Sequence, residues 1–487
     1  MTSLVLGLIL NGPTFNIRDF GAIGDGFTMN TKSIQAAIDR ANKVGGGTVL
    51  VPDGRFLTGT IHLKSNINLH VSDKATILGS TKRKDYEKII WYTLISAHKV
   101  HDVKITGTGT IDGQGAELAQ DILHLVDTGE VKIPPKRWRP SELDRPEIIE
   151  MNFCKNVSVL GVTIKNSCCW VQTYRECEGL LIDGIRVDSK SYWNNDGIDI
   201  LDCKKAIIRN CDIDACDDGI CLKSDNPKLK CEDISITNCK VRSSASAIKF
   251  GTSSHGGFKN IRIDNCQVRD TFRSVIALES VDGAILENIN VGNIKAVNTG
   301  NAFFIRIGHR TLNAPVGRVR NINLHDIDVE VPAIQPDLGY AFKGPDIKTP
   351  HNVMPSSIMG HKQFPIENVR LERIKIHYPG GGTTSVANAP VTQLSKIPEF
   401  AEQYPEFNMF GELPAWGLFV RHAKGISMKD CTFELAKADY RPAIVFDDVV
   451  NFKASRCYIT GRDTKPLIVA RKSKQISTPG LKIKTVN

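Results

Sequence analysis

From Cys154 onward, apolar and polar residues alternate in short runs, and one phrase keeps returning. CKNVSVLGVTIKN begins at Cys154, CEGLLIDGIRVDS at Cys177, CKKAIIRNCDIDA at Cys203, CEDISITNCKVRS at Cys231, FKNIRIDNCQVRD at Phe258 and LENINVGNIKAV at Leu286. Fainter copies begin at Val319, Ile366, Ala423 and Val449. Alternation with a period of two is that of a strand with one face buried. Successive copies are offset by 23, 26, 28, 27, 28 and 33 residues, then by 47 and 57 where extra chain intervenes. One such copy cannot bury its own inner face, but stacked copies can, so the pattern predicts a right-handed parallel β-helix in which each copy is one coil. The fold class is all-β. Leucine-rich repeats have similar periods, but their Leu-rich template is missing.

One helical pattern stands before the repeat. Ile34, Ala37, Ile38 and Ala41 recur at helical spacing within Thr31 to Val44, with Asn30 or Thr31 as cap and Gly45-Gly46-Gly47 as stop. A short helix there can plug the end of the sheet structure. The segments 332–365 and 379–415 are rich in Pro and Gly and interrupt the repeat, as substrate walls or caps do. A single domain over 1–487 follows: 14–98 as cap and first coils, 99–330 as central coils with the active site, 331–418 as inserted loops, 419–487 as last coils.

Composition adds exclusions. The net charge of +9 is scattered rather than clustered, so no nucleic-acid footprint is indicated, while a polyanionic carbohydrate is compatible. No stretch of 18 apolar residues exists, so no membrane span is expected. The opening MTSLVLGLIL reads as a clipped export signal or as a first strand. The thirteen cysteines include no CxxC pair of metal-site spacing. Cys154, Cys177, Cys203 and Cys231 share one phase of the repeat, and Cys211, Cys239, Cys266, Cys431 and Cys457 share another. Other copies hold Val, Ile, Phe or Leu at those places, so cysteine acts there as a small hydrophobe.

The candidate chemistry lies in Asn194 to Asp225, where Asp196-Gly197-Ile198 and Asp218-Gly219-Ile220 are 22 residues apart and Asp217 precedes the second. If the coils stack, the three carboxylates stack with them. A single Asp-Gly would read as a turn residue capping backbone amides. Three crowded acids with Lys223 nearby call for a functional reason, because like charges held together cost stability. Adjacent residues on a strand face opposite sides, so Asp217 and Asp218 require a bend, which Gly219 permits. Inverting hydrolysis of a glycosidic bond needs one carboxyl as acid and one as base, about 6.5 to 9.5 Å apart. Coils about 4.8 Å apart can present such a pair, and crowding keeps one member protonated.

These motifs resemble glycoside hydrolase family 28, the polygalacturonases and rhamnogalacturonan hydrolases. The resemblance runs over nearly the whole chain: FNIRDFGAIGDG near the start, Arg145 to Glu150, Asn166 to Trp170, NNDGID at 194–199 and CDDGICLKS at 216–224. It implies Asp217 as general acid, with Asp196 and Asp218 positioning the attacking water and no cofactor or metal. Two departures change the substrate side. Where the family carries Gly-His-Gly, this chain has Ala245-Ser246-Ala247. Where it carries the Arg-x-Lys pair that holds a galacturonate carboxylate, Ala277 and Glu279 stand instead. Lys223 and Asn194 are substrate-binding candidates beside the aspartates, and replacement candidates are His255, Arg273 in the column of Asp217, Lys249, and Arg306 with His309 and Arg310. Each reads otherwise as a solvated surface residue. Glu279 can bond sugar hydroxyls, and Trp170 either stacks on a sugar ring or simply packs.

The expected protein is therefore an inverting glycoside hydrolase for a pectin-like or other complex polysaccharide or its oligosaccharides, not specific for plain polygalacturonate. It is expected to be a monomer, periplasmic or extracellular. Two other readings stay open. A polysaccharide lyase or epimerase on the same solenoid would use Lys223, Lys249 or Arg273 near calcium held by the aspartates. A non-catalytic carbohydrate-binding β-helix would use the acids as turn caps.

Overall fold

The computed structural model describes residues 12–334, 336, 339–342, 354–382, 391–460, 467–481 and 483–486. The apolar opening, read as export signal or strand, lies outside the described residues. The chain divides into two compact units, 1–192 and 193–487. Each is a right-handed parallel β-helix.

In the first unit, the alternating segments pair in register as parallel strands of three sheets. Gly47–Val51 pairs with Ile67–Val71 in one sheet, Gly54–Thr58 with Ala75–Gly79 in a second, and Tyr92–His98 with Glu147–Asn152 in a third. The helix Thr31–Lys43 buries Ile34, Ala37, Ile38 and Ala41, as its spacing predicts. Asn30 stands at its N-cap, as expected, but the Asn30 side chain makes no cap bond and instead accepts from Ile23 N–H and donates to the Thr28 carbonyl. A second helix, Gly115–Asp127, was not anticipated; it buries Leu118, Ala119 and Ile122.

In the second unit, the copies pair at their predicted starts, Cys231 with Phe258, Phe258 with Leu286, Leu286 with Val319 and Ala423 with Val449. Inward positions then form columns. Ile208, Ile236, Ile263, Val291, Leu324 and Leu371 succeed one another on the first sheet, all fully buried. Each such side chain contributes roughly 1.5–3 kcal/mol on burial, realised only when its neighbour coil is in place. The thirteen cysteines are reduced thiols, twelve of them buried, in keeping with their apolar columns.

The corners of the coil differ in kind. Between the first and second sheets the chain turns on one residue in the left-handed region, Asn210, Asn238, Asn265 and Asn293 and then Asp326, Arg373, Asp430 and Arg456, with φ from 50° to 57°. Asparagine tolerates that conformation through local hydrogen bonds. The side chains also bond from coil to coil, Asn265 to Asn238 at 2.8 Å and Arg373 to Asp326 at 2.6 Å. The corner between the second and third sheets carries the insertions instead, after Arg318–Glu330 and after Ile366–Tyr378. The latter insert packs Leu394, Ile397, Phe407, Phe410 and Leu413 against Phe304, Phe419, Val445 and Val469 of the third sheet.

Candidate active site

The same variable corner holds the acids, all within the second unit. Asp196 precedes the strand Ile198–Leu201, and Asp217 and Asp218 lie in the bend between Asp212–Ala215 and Ile220–Ser224. Both aspartates escape strand alternation because neither is in a strand. Coils approach closely here, which explains the glycine after each motif. A Cβ on Gly197 would stand 2.5 Å from the Gly219 carbonyl oxygen, and one on Gly219 would stand 2.4 Å from a Val241 methyl. Backbone bonds tie the turns, Gly197 N–H to Asp218 O at 2.9 Å and Gly219 N–H to Ser246 O at 2.9 Å.

Asp196, Asp217 and Asp218 place one carboxylate oxygen each within 4.8 Å of one another. That is closer than the gap expected from coil spacing. Asp196 and Asp218 are buried and Asp217 is partly exposed, so Asp217 is the acid that faces outward. Lys223 Nζ donates to Asp196 Oδ2 at 2.9 Å and also to Asp199, a buried acid that sequence reading passed over. Lys249 Nζ lies 3.1 Å from Asp218 Oδ2. Asp218 Oδ1 accepts the Ser246 N–H at 3.0 Å, and Asn194 Nδ2 reaches Asp217 Oδ2 at 3.4 Å. Asp196 Oδ1 has no hydrogen-bond partner among the described residues.

These contacts drive the acids apart electrostatically. Burial and the charge of Asp218 hold the Asp217 carboxyl above its usual range, only partly offset by Arg273, Lys249 and Lys223. Asp218 moves the other way: burial opposes its charge, but Lys249, Arg273, Lys223 and the Ser246 N–H outweigh burial and lower it. Burial and the neighbouring acids raise Asp196 despite Lys223, and burial raises Asp199 to about 6. Neighbouring carboxyls with opposed shifts form the arrangement that acid–base chemistry requires.

Further residues around the acids come from later coils. Arg273 follows Ala245 in the column of Asp217, its N–H bonded to the Ala245 carbonyl at 2.9 Å, as the 28-residue step predicts. Glu279 is buried, and its Oε2 has no hydrogen-bond partner among the described residues. Two further residues enter from the insert: Glu406 pairs with Arg273 at 2.8 Å, and Tyr404 Oη accepts from Lys249 at 3.2 Å. No repeat phase points to them.

Other candidates are held by contacts of their own. His255 is half-buried with its N–H on the Ser224 carbonyl, and no hydrogen bond or ion pair joins it to the aspartates among the described residues. Arg306 donates to the Glu399 carbonyl at 2.5 Å and lies 5.3 Å over the Phe410 ring, holding the insert. Arg310 pairs with Asp282, and His309 bonds the Ala314 carbonyl at 2.9 Å. Trp170 belongs to the first unit, where it stacks on Trp91 at 4.7 Å. A cation bridging the three aspartates would compete with Lys223 and Lys249, which already sit on two of them.

A family model described as "Glycosyl hydrolases family 28" matches residues 42–286. A polygalacturonase of Chamaecyparis obtusa is 28% identical over 225 residues, 45% of this chain and 42% of that one. A probable polygalacturonase of Vitis vinifera is 28% identical over 313 residues, 60% of this chain and 57% of that one. The chain thus spans about half the length of these relatives. Among solved structures, a family 28 exopolygalacturonase of Yersinia enterocolitica superposes with a TM-score of 0.69 at 18% identity, covering 90% of this chain and 78% of that one. No helix among the described residues is long and apolar enough to cross a membrane.

Proposed function

This chain belongs to glycosyl hydrolases family 28, and we propose that it hydrolyses glycosidic bonds of a complex, pectin-like polysaccharide or its oligosaccharides with inversion. The observation that carries the reading is the trio itself, in which Lys249 beside Asp218 draws that carboxyl down while burial and the charge of Asp218 push the partly exposed Asp217 up.

In this mechanism Asp217 gives its proton to the glycosidic oxygen as the bond to the anomeric carbon breaks. Water attacks that carbon and loses a proton to Asp218. Two hydrogen bonds of about 2.8 Å span at most about 5.6 Å, so one water can bridge oxygens as near as those of Asp196 and Asp218. Asp196, anchored by Lys223, orients that water. Asn194 steadies the acid. Proton exchange with solvent then restores both aspartates.

The substrate is not plain polygalacturonate in this reading. Glu279 stands in the place of a carboxylate-binding lysine, and Lys223, Lys249 and Arg273 are each engaged by a protein carboxylate. The protein works as a monomer outside the cytoplasm, where such polymers lie. A lyase would need a lysine that gives up its proton readily, whereas at Lys249 burial is outweighed by its neighbours, the Asp218 carboxylate foremost, which hold it protonated.

Product analysis on plant and algal polysaccharides, for native protein beside Asp217→Asn and with and without chelator, tests the proposal. Reducing ends of inverted anomer, indifferent to chelator and lost in the variant, are expected. Release that survives Asp217→Asn, or an ultraviolet-absorbing unsaturated product, would overturn it.

A further inference from the structure

The insert that follows Ile366–Tyr378 brings a carboxylate into the active site from outside the repeat. Glu406 Oε1 lies 2.8 Å from an Arg273 terminal nitrogen, with 13% and 12% of the two side chains exposed. Tyr404 comes with it and bonds Lys249 at 3.2 Å. Close enough to feel the charges of Lys249 and Glu406, Glu279 is 2% exposed and has an Oε2 with no hydrogen-bond partner among the described residues. Burial, against the pull of Lys249, pushes the Glu279 carboxyl up to about 8, so at neutral pH it is an O–H donor as well as an acceptor.

The insert is firmly seated. Arg421 donates to the carbonyls of Ile397 at 3.0 Å and Leu394 at 2.7 Å, and Arg306 donates to that of Glu399 at 2.5 Å. With the apolar cluster around Phe407 and Phe410, these bonds fix the segment on either side of Glu406. The carboxylate on Arg273 is therefore a built part of the site.

We propose that Glu406 is an internal carboxylate that occupies Arg273, so that the subsite beside Asp217 selects an uncharged sugar ring whose hydroxyls are read by Glu279 and Tyr404. The proposal rests on the hydrolase reading of the three aspartates. A uronate here must either displace Glu406 from Arg273 or bring its own charge beside Glu406 and Asp218, and like charges crowded together repel. A neutral ring pays neither cost. Its hydroxyls also satisfy the buried Glu279 carboxyl, and a site built around such a group rejects ligands that leave it unpaired.

The test uses trigalacturonate and its carboxyl-reduced counterpart, which share linkage and ring stereochemistry and differ in the charged group. The native protein is expected to show the higher kcat/KM on the reduced trisaccharide. Glu406→Gln shifts the ratio toward trigalacturonate by about tenfold or more, and Glu406→Asp, which keeps the charge, does not. The shift depends on Arg273, so the double variant Arg273→Gln with Glu406→Gln loses it. A native preference for trigalacturonate, an equal ratio in native and Glu406→Gln, or a shift that persists in the double variant would overturn the proposal. If the native protein cleaves neither, calorimetric affinities for the two trisaccharides are judged by the same ratios, and failure to bind the reduced one counts against the idea. Cleavage undiminished in Asp217→Asn would sink the hydrolase reading alone, leaving the ratio to decide on Glu406.

Discussion

Lys249 Nζ lies 3.1 Å from Asp218 Oδ2, both side chains almost wholly buried. This contact separates Asp218 from its neighbour Asp217: one carboxyl is drawn down into ionisation while the other stays up. Lys249→Met should therefore move the acid limb of the kcat/KM profile upward by about 1–3 pH units as Asp218 becomes harder to ionise. An unmoved limb would mean that Lys249 does not hold the base.

Asp217→Asn removes the proposed proton donor with little change of shape. Loss of general acid catalysis is expected to lower kcat by about 10²–10⁴-fold with bound geometry kept. The measurement is kcat on a substrate whose leaving group needs protonation. A substrate with an acidic phenol leaving group should suffer far less.

Glu279 links folding to pH. Its carboxyl ionises at about 8 in the folded chain against 4.5 as its ordinary value, so between those values only the folded state holds the proton. Folded-state stability is then greatest below about 4.5 on account of this group and falls as pH rises to about 8, by up to about 1.4 kcal/mol per pH unit. Denaturant melts from pH 5 to 8 should show a flatter slope for Glu279→Gln, and an unchanged slope would place the buried proton elsewhere.

Arg421 ties the insert to the third sheet through two carbonyls and pairs with Asp447 at 2.8 Å. Arg421→Ala is expected to cost about 3 kcal/mol, since a buried charge loses a partner, and to open new protease cuts within 391–416. Stability lost without new cuts would show that the insert is held by its apolar cluster alone.

Cys457 is the one cysteine not fully buried, and its bonds from Cys431 lower it to about 7, more than burial raises it. A thiol reagent at pH 7.5 should label Cys457 first in the native protein, with the other twelve reacting only on unfolding. Simultaneous labelling of several cysteines would show that the stacked columns breathe.

Much of this was legible because coil length is written into sequence offsets. The step from Asp196 to Asp218 equals the register of Ile198 on Ile220, so counting residues amounted to measuring which acids meet. The cysteine phases and the Asp217–Ala245–Arg273 column followed from the same arithmetic. Glu406 and Tyr404 were hidden because the insert has no period, and its place depends on packing against Phe304 and Phe419. The helix Gly115–Asp127 has a readable apolar spacing in Leu118 and Ile122, but it lies ahead of the repeat that begins at Cys154, in a stretch assigned as a block to the central coils. Asp199 carries no signal of its own in the sequence; its significance lies in Lys223 on the next coil.

The two corners of the coil have a bearing on how such a protein diversifies. One corner allows a single left-handed residue, and any added residue there would break the side-chain bonds linking one coil to the next. The other has accepted dozens of residues after Ile366–Tyr378 while the strands on either side remain in register. Chain added at that edge leaves the coil pitch, and so the spacing of the aspartates, unchanged.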